Sequence, residues 1–433
     1  MAEGDLELGH VDIDEARNRS RQLPGSIYMV PGVIRNLSPS SFTPRVIPIG
    51  PIHHEDEHLK GFEPQKATCV RHLCHNLLSG LNSNPEQIFE ACVTKVSGSI
   101  HQIKACYVAM PAYPDSELAK MMATDACFIL TFIYVHCITH SPLGLNNLLY
   151  PHIFHDMVLI ENQIPFFVLQ DIFDCTFLEL DNTLSLADFI SPIQKFCNMF
   201  KDSEMSRSNI SFTHDHILGF LHKSYQHPFR NSSKLDTMVK SHSVVEYERS
   251  GVRFTNNFDA EWRMAMELQL SRFLCFPLSW SNPSLKMPVL HLQDITESVL
   301  RNLIIYEHSS GLGTCITSYM QALDMLIDTP EDVGKLVKSQ VIFNYLGSNE
   351  EAAGVINNVL KEIPFEDFYY QNEWKQLNEY YNAYWPNLIA ELRGKYFSNP
   401  WSIIALIAGI VLFVLTVIQT IYAVKAVQDS KAA

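Results

Sequence analysis

The stretch whose residue types come nearest to chemistry is Asp156 to Asp171, DMVLIENQIPFFVLQD, where Glu161, Asn162 and Gln163 interrupt an apolar run just ahead of Pro165. Polar side chains buried in such a run need partners, because stranding one costs roughly 1–3 kcal/mol. In one reading they hold backbone groups where Pro165 breaks or restarts a helix. In the other, Glu161 is a catalytic carboxylate. No nucleophile, metal cluster or second carboxylate is tied to Glu161 by spacing, so the structural reading leads. Histidine pairs are the remaining candidates. His53 and His54, followed by Glu55 and Asp56, have metal-ligand chemistry. Adjacent side chains diverge, however, and no further ligand follows at fixed spacing, which favours structural hydrogen bonding. His72 and His75 stand three apart on a helix. His136 and His140 share a helical face at a metal-compatible spacing, as His152 and His155 nearly do, but without an HExxH context they read as core or rim histidines. P-loop, GxGxxG, GxSxG and HExxH motifs are missing from the sequence. No catalytic, cofactor-binding or metal-binding residue is therefore assigned, and no cofactor is expected.

The elements that must position these residues read as mainly helical. A helix is expected from near Phe62 through Gln65 to Leu78, and another after Pro114 with Asp115 as its N-cap. From Ala126 to Ile138 that second helix is apolar nearly all round. It is too short to cross a bilayer and is bounded by Asp125 and His136, which marks a central buried helix rather than a second membrane span. Thr329-Pro330-Glu331-Asp332 gives an N-cap with Pro at the first helical position, and Ser348-Asn349-Glu350-Glu351 is a capping-box pattern. Arg253-Phe254, Phe273 to Leu278 and Pro288 to Leu292 offer extended pieces for a small sheet or hairpin. The aromatic series Phe365, Phe368, Tyr369, Tyr370, Trp374, Tyr380, Tyr381, Tyr384 and Trp385 reads as packing for the last helices rather than as a stacking platform. Between Phe200 and Arg253 the pattern loosens into a polar, turn-rich stretch, read as a surface insertion with one short helix and as the place where partners are told apart. Earlier, Ile27 to His54 is punctuated by Pro31, Pro39, Pro44, Pro48 and Pro51, so it is expected as an extended segment lying over a core.

Composition bounds the class. At 47% hydrophobic and 18% charged residues the chain holds ample material for a large core. A formal net charge of -15 argues against a nucleic-acid ligand. Ten cysteines without a CxxC pair read as free thiols in a reducing compartment. Sequons at Asn18, Asn36, Asn209 and Asn231 matter only if the domain is lumenal or extracellular.

Ser402 to Val424, SIIALIAGIVLFVLTVIQTIYAV, contains no charged side chain. As a helix it reaches roughly 34 Å, enough to cross a hydrocarbon core about 30 Å thick. Tyr396, Phe397 and Trp401 stand before it, where amphipathic rings favour the interface. Arg393 and Lys395 balance Lys425 and Lys431, so flanking charge sets no orientation. The first 30 residues hold no apolar run of the signal-peptide kind. The simplest topology is then a C-terminal anchor on a cytosolic domain.

Ile27 to His54, the run Leu159-Ile160-Glu161-Asn162-Gln163-Ile164-Pro165-Phe166-Phe167, Gly251-Val252-Arg253-Phe254, Met287 to Glu307 and Asn399-Pro400-Trp401 together resemble the plant domain of unknown function 247 family, in order and spacing from about residue 27 onward. Ile52 stands where the family usually has an aromatic, and Phe62-Glu63-Pro64-Gln65-Lys66 replaces a usual Met-Glu-x-His-Lys. The resemblance implies plant origin, a largely helical domain, a C-terminal anchor and no established enzymatic activity. Some grass members are implicated as male determinants of self-incompatibility, which would make this a recognition protein. The family supplies no catalytic residue to carry over.

Together these expectations describe a mainly α protein: an acidic, mobile stretch over 1–26, a helical domain over 27–398 with its polar insertion at about 200–253, a transmembrane helix over 402–424 and a short tail over 425–433. The expected partners are the bilayer and one or more proteins, with homo-oligomers left open and nucleic acid excluded. The expected function is recognition without catalysis at a plasma membrane or endomembrane; the alternative is an enzyme with its site near Glu161.

Overall fold

The computed structural model describes residues 25–77, 85–139, 145–177, 185–200, 214–226, 233–234, 242–260, 262, 264–270, 283–364, 367–382 and 400–432. Helices α1 (Glu63–His72), α2 (Pro85–Ser97), α3 (Asp115–Ile133), α4 (Tyr150–Asp156), α5 (Phe166–Cys175) and α6 (Leu186–Cys197) form a first group, in which α1, α2, α5 and α6 all pack on α3. From Leu118 to Ile133 only Lys120 and Thr124 escape burial. A helix that is apolar on every face must be surrounded on every face, and α3 is. Asp115–Ile138 is long and apolar enough to cross a membrane, yet 72% of its apolar window lies inside the fold, as the core-helix expectation requires. The cap differs from expectation: extended Pro114 is the last non-helical residue, and its carbonyl accepts from the Glu117 and Leu118 N–H groups. Asp115 lies instead in the first turn, paired with Lys104.

A second group contains α7 (Ile217–Lys223), α8 (Val244–Arg249), α9 (Thr296–Ser310), α10 (Cys315–Leu326), α11 (Pro330–Lys338), α12 (Asn349–Val359) and α13 (Gln371–Asn382). Helix α9 is its centre, packing on α7, α10 and α12. Small sheets flank these helices. β1 (Arg253–Asn256), β2 (Glu267–Gln269) and β3 (Ser284–Met287) form one with β3 in the middle, parallel to β1 and antiparallel to β2, while β4 (Leu290–Leu292) runs parallel to β5 (Ile342–Asn344). The extended piece expected at Phe273 to Leu278 lies outside the described residues. Thr329 caps α11 in a reciprocal capping box with Asp332 and with Pro330 at the first helical position. At α12, Ser348 accepts the Glu351 N–H at 3.1 Å, and the Glu351 carboxylate takes the Gly347 N–H rather than that of the cap. Phe368, Tyr370 and Trp374 are buried, with Phe368 edge-on to the other two rings at 5.5 and 5.8 Å, which is core packing. Phe365, Tyr384 and Trp385 lie outside the described residues.

The stretch from Phe200 to Arg253 departs from the surface insertion expected of it. Its described parts hold two short helices, α7 and α8, and Ile217, Leu218, Phe220, Leu221, Tyr225, Val244 and Tyr247 are buried. The short apolar islands decide this: a polar stretch is assigned to the surface by its average, but burial follows the individual apolar side chains that find a groove.

Helix α14 (Pro400–Ala432) is continuous, and the side chains described along it are exposed, including Phe413 and Tyr422 at 70% each and Leu412 at 64%. The described apolar side chains between Ile404 and Tyr422 are exposed around the helix.

Candidate functional site

The organising feature is a strap, Ile27 to His54, laid over both helical groups and held by buried polar side chains. Its prolines explain the form of the contact. Proline has no N–H, so Pro44, Pro48 and Pro51 bring no donor into the interior. The donors between them each meet a side-chain acceptor. The N–H groups of Arg45, Val46 and Ile47 converge on the Asp156 carboxylate at 2.7–3.0 Å, a small anion-binding nest. The Ile49 N–H reaches Asn162 Oδ1 at 2.7 Å and the Gly50 N–H reaches Asp125 Oδ2 at 2.8 Å. Gly50 sits at φ 73°, and a Cβ there would come within 2.5 Å of the Gln163 carbonyl oxygen, so both backbone conformation and close approach require glycine. From the other side, Ser298 Oγ and Asn302 Nδ2 of α9 donate to the Ser41 carbonyl at 2.9 and 2.7 Å.

Glu161, Asn162 and Gln163 are all at most 1% exposed, and each holds backbone or strap groups. Asn162 Nδ2 donates to the Ile47 and Asp156 carbonyls at 3.0 and 2.9 Å. Gln163 donates to the Met157 and Leu159 carbonyls and accepts the Leu218 N–H of α7. Pro165 caps α5, so the helix restarts there as expected. Glu161 accepts from the Val30 N–H, from Arg35 and from His53 Nε2, the last at 3.1 Å. Burial alone would raise the Glu161 pKa, but hydrogen bonds from His53, Arg35 and Val30 outweigh it and hold the carboxyl below its ordinary range. Burial likewise works against a charged His53, yet hydrogen bonds to Glu161 and Asp56 raise its pKa above the ordinary value. A carboxylate so held is a poor general base, since its lone pairs are already engaged and its affinity for a proton is lowered. Nearby, Lys66 is buried with its Nζ 2.6 Å from Asp125; burial opposes its charge, and Asp125 and Glu63 outweigh that.

The other histidines disperse. His54 stands edge-on to Tyr113, His136 packs against Tyr150, and His155 bonds Asp156 and Ser298 Oγ. His140 lies outside the described residues. No disulfide joins the nine described cysteines. Burial pushes Cys69 and Cys197 up to about 12 and Cys137 to about 11, away from the thiolate form that nucleophilic chemistry uses.

One cluster escaped sequence reading. His222 of α7, Glu307 of α9 and Cys315, the first residue of α10, meet in the interior, all at most 2% exposed. Glu307 Oε1 accepts from His222 Nε2 at 3.0 Å, from Cys315 Sγ at 3.1 Å and from the Ile316 N–H at 2.9 Å. Its Oε2 accepts from the Thr317 N–H and hydroxyl at 2.9 and 2.7 Å. Burial would raise the Glu307 pKa, but His222, Thr317 and Ile316 hold it low; burial and the adjacent carboxylate push the Cys315 thiol well above its usual range. These are the residue types that hold a transition metal. A fixed spacing could not have revealed them, because His222 is 85 residues from Glu307. The turn between Glu307 and Cys315, where Gly311 and Gly313 both take positive φ, brings the other two together.

A two-group helical domain tied by a polar-locked strap, with an outward-facing apolar helix at its end, defines the class. The chain belongs to the plant family of proteins of unknown function, domain of unknown function 247, whose family model matches residues 27–415. It is similar to two proteins of Arabidopsis thaliana. UPF0481 protein At3g47200 is 23% identical, with 94% of this chain and 87% of the relative covered. Putative UPF0481 protein At3g02645 is also 23% identical, with 96% and 92% covered. No solved structure matches the chain.

Proposed function

We propose that the protein is a membrane-anchored recognition component that works by binding and carries out no catalysis. The observation that carries the anchor is α14, whose described apolar side chains stand exposed around the helix, an arrangement that is unfavourable in water and suited to lipid. The polar groups nearest to catalytic types support binding over turnover: Glu161 is consumed by strap contacts and the thiols are pushed up by burial. Family membership makes a determinant of self-incompatibility, or a related signalling component, the specific role to test. In this reading the large domain is cytosolic and Ser402 to Val424 spans the bilayer.

Alkaline carbonate washing of membranes tests the anchor, and release of the full-length chain would sink it. Deglycosylation of the same sample tests the topology, since a mobility change places the domain on the other side. Affinity capture with the anchor intact then identifies partners. Exchanging all of Phe200 to Arg253 does not isolate a recognition surface, because α7 and α8 lie within it and are core.

A further inference from the structure

We propose that His222, Glu307 and Cys315 form a binding site for one divalent transition metal ion of the zinc class, clipping α7 and α10 onto α9. The donor set comes first. A thiolate sulfur, an imidazole nitrogen and a carboxylate oxygen are the ligand types that Zn²⁺ takes. The geometry is the second support. The three ligand atoms are separated by 3.0 Å (Nε2 to Oε1), 3.1 Å (Sγ to Oε1) and 4.0 Å (Sγ to Nε2). A triangle with those edges has a circumradius of about 2.0 Å, so an ion lying slightly out of its plane reaches all three atoms at roughly the 2.0–2.3 Å of Zn–O, Zn–N and Zn–S bonds. The fourth tetrahedral position is left to a water molecule.

Charge balance is the third. A dication bound by one thiolate and one carboxylate is neutral as a unit, which is the condition for holding such an ion in an apolar interior. On loading, the ion takes the place of the two side-chain hydrogens that Oε1 accepts from His222 and Cys315, while the Ile316 N–H stays on Oε1: the thiol proton is released to solvent, and the imidazole, ligating through Nε2, carries its hydrogen on Nδ1. Oε2 keeps its hydrogen bonds from the Thr317 N–H and hydroxyl, which fix the carboxylate's orientation as the supporting groups of metal sites do. The three ligands come from three helices, so the ion would act on the arrangement of those helices and not on a substrate.

The test uses the full-length chain purified in detergent, titrated with Zn²⁺ and separately with Co²⁺. The expected result is one equivalent of metal per chain and, with Co²⁺, a thiolate-to-cobalt charge-transfer band together with the visible bands of a tetrahedral ion. Cys315→Ser should remove the band and weaken Zn²⁺ binding at least 100-fold, while Cys137→Ser leaves both unchanged. Thr317→Val, which takes only the hydroxyl from Oε2, should weaken binding by about tenfold. Circular dichroism confirms that each variant is folded, and the cobalt band on the unaltered chain stands as evidence without any variant. Failure of the unaltered chain to take up either ion, binding without the charge-transfer band, or equal binding by Cys315→Ser would each overturn the site.

Discussion

The strap contact and α14 reverse the ordinary distribution of polarity in opposite ways. Under the strap, a cluster of carboxylates, amides and a histidine lies in the interior; along α14, Ile, Leu, Val and Phe side chains stand outside. Each arrangement is stable only with a suitable counterpart. The buried polar groups find theirs within the chain, where Asp156, Asn162, Asp125 and Glu161 meet the strap's N–H groups, Arg35 and His53. Along the apolar helix the described side chains from Ile404 to Tyr422 stay exposed. A region that closes on itself sets the fold, whereas the region left open is the one we propose holds the folded domain at a membrane.

The comparison breaks first at its outer end. Ending the chain near Lys395 should move the protein from the membrane pellet to the supernatant in full, and retention of the shortened chain in the pellet would mean that α14 is not what holds it. Next comes the centre of the strap contact. Glu161→Leu leaves Arg35 and the Val30 N–H without their carboxylate and should destabilise the full-length protein by about 3–5 kcal/mol, read as the shift of the denaturation midpoint in detergent. Asn162→Leu strands the Ile49 N–H and the Ile47 carbonyl and should cost about 1–3 kcal/mol in the same measurement. An unchanged melting temperature with lost partner binding would turn either position from structural to functional.

The smallest effect is on pH. His53 has a folded pKa above its unfolded value, so its contribution is fully present below about pH 6.5 and is lost as pH rises through the folded value. Glu161 has a folded pKa below its unfolded value, so its contribution is present above about pH 4.3 and is lost as pH falls through the folded value. The pair therefore supports the strap most strongly between about pH 4.5 and 6.5. Raising pH from 6 to 8.5 should lower stability, and His53→Gln should remove that slope. A slope that survives His53→Gln would assign it to other histidines.

How far the sequence could be read depended on the range of the interaction. Local signals were legible: the Thr329 N-cap with Pro330 at the first helical position, the restart of a helix after Pro165, the central burial of Ala126 to Ile133, the exclusion of any long helix from Ile27 to His54, where only the short turns Gly32–Arg35 and Pro39–Ser41 form, and the uninterrupted apolarity of Ser402 to Val424. Each follows from neighbours within a few residues, where backbone geometry and side-chain period leave few choices. The need of Glu161, Asn162 and Gln163 for partners was legible too, because buried polar groups must be satisfied. The strap partners of Glu161 and Asn162 were not, since Val30, Arg35, Ile49 and His53 lie more than 100 positions away. The same holds for His222 with Glu307 and Cys315, and for the burial of α7, whose four apolar side chains, Ile217, Leu218, Phe220 and Leu221, stand in a polar stretch. Composition and short-range spacing fix which groups must be paired and which helices form; only the tertiary structure, by closing loops whose ends carry no mark of one another, decides which group meets which.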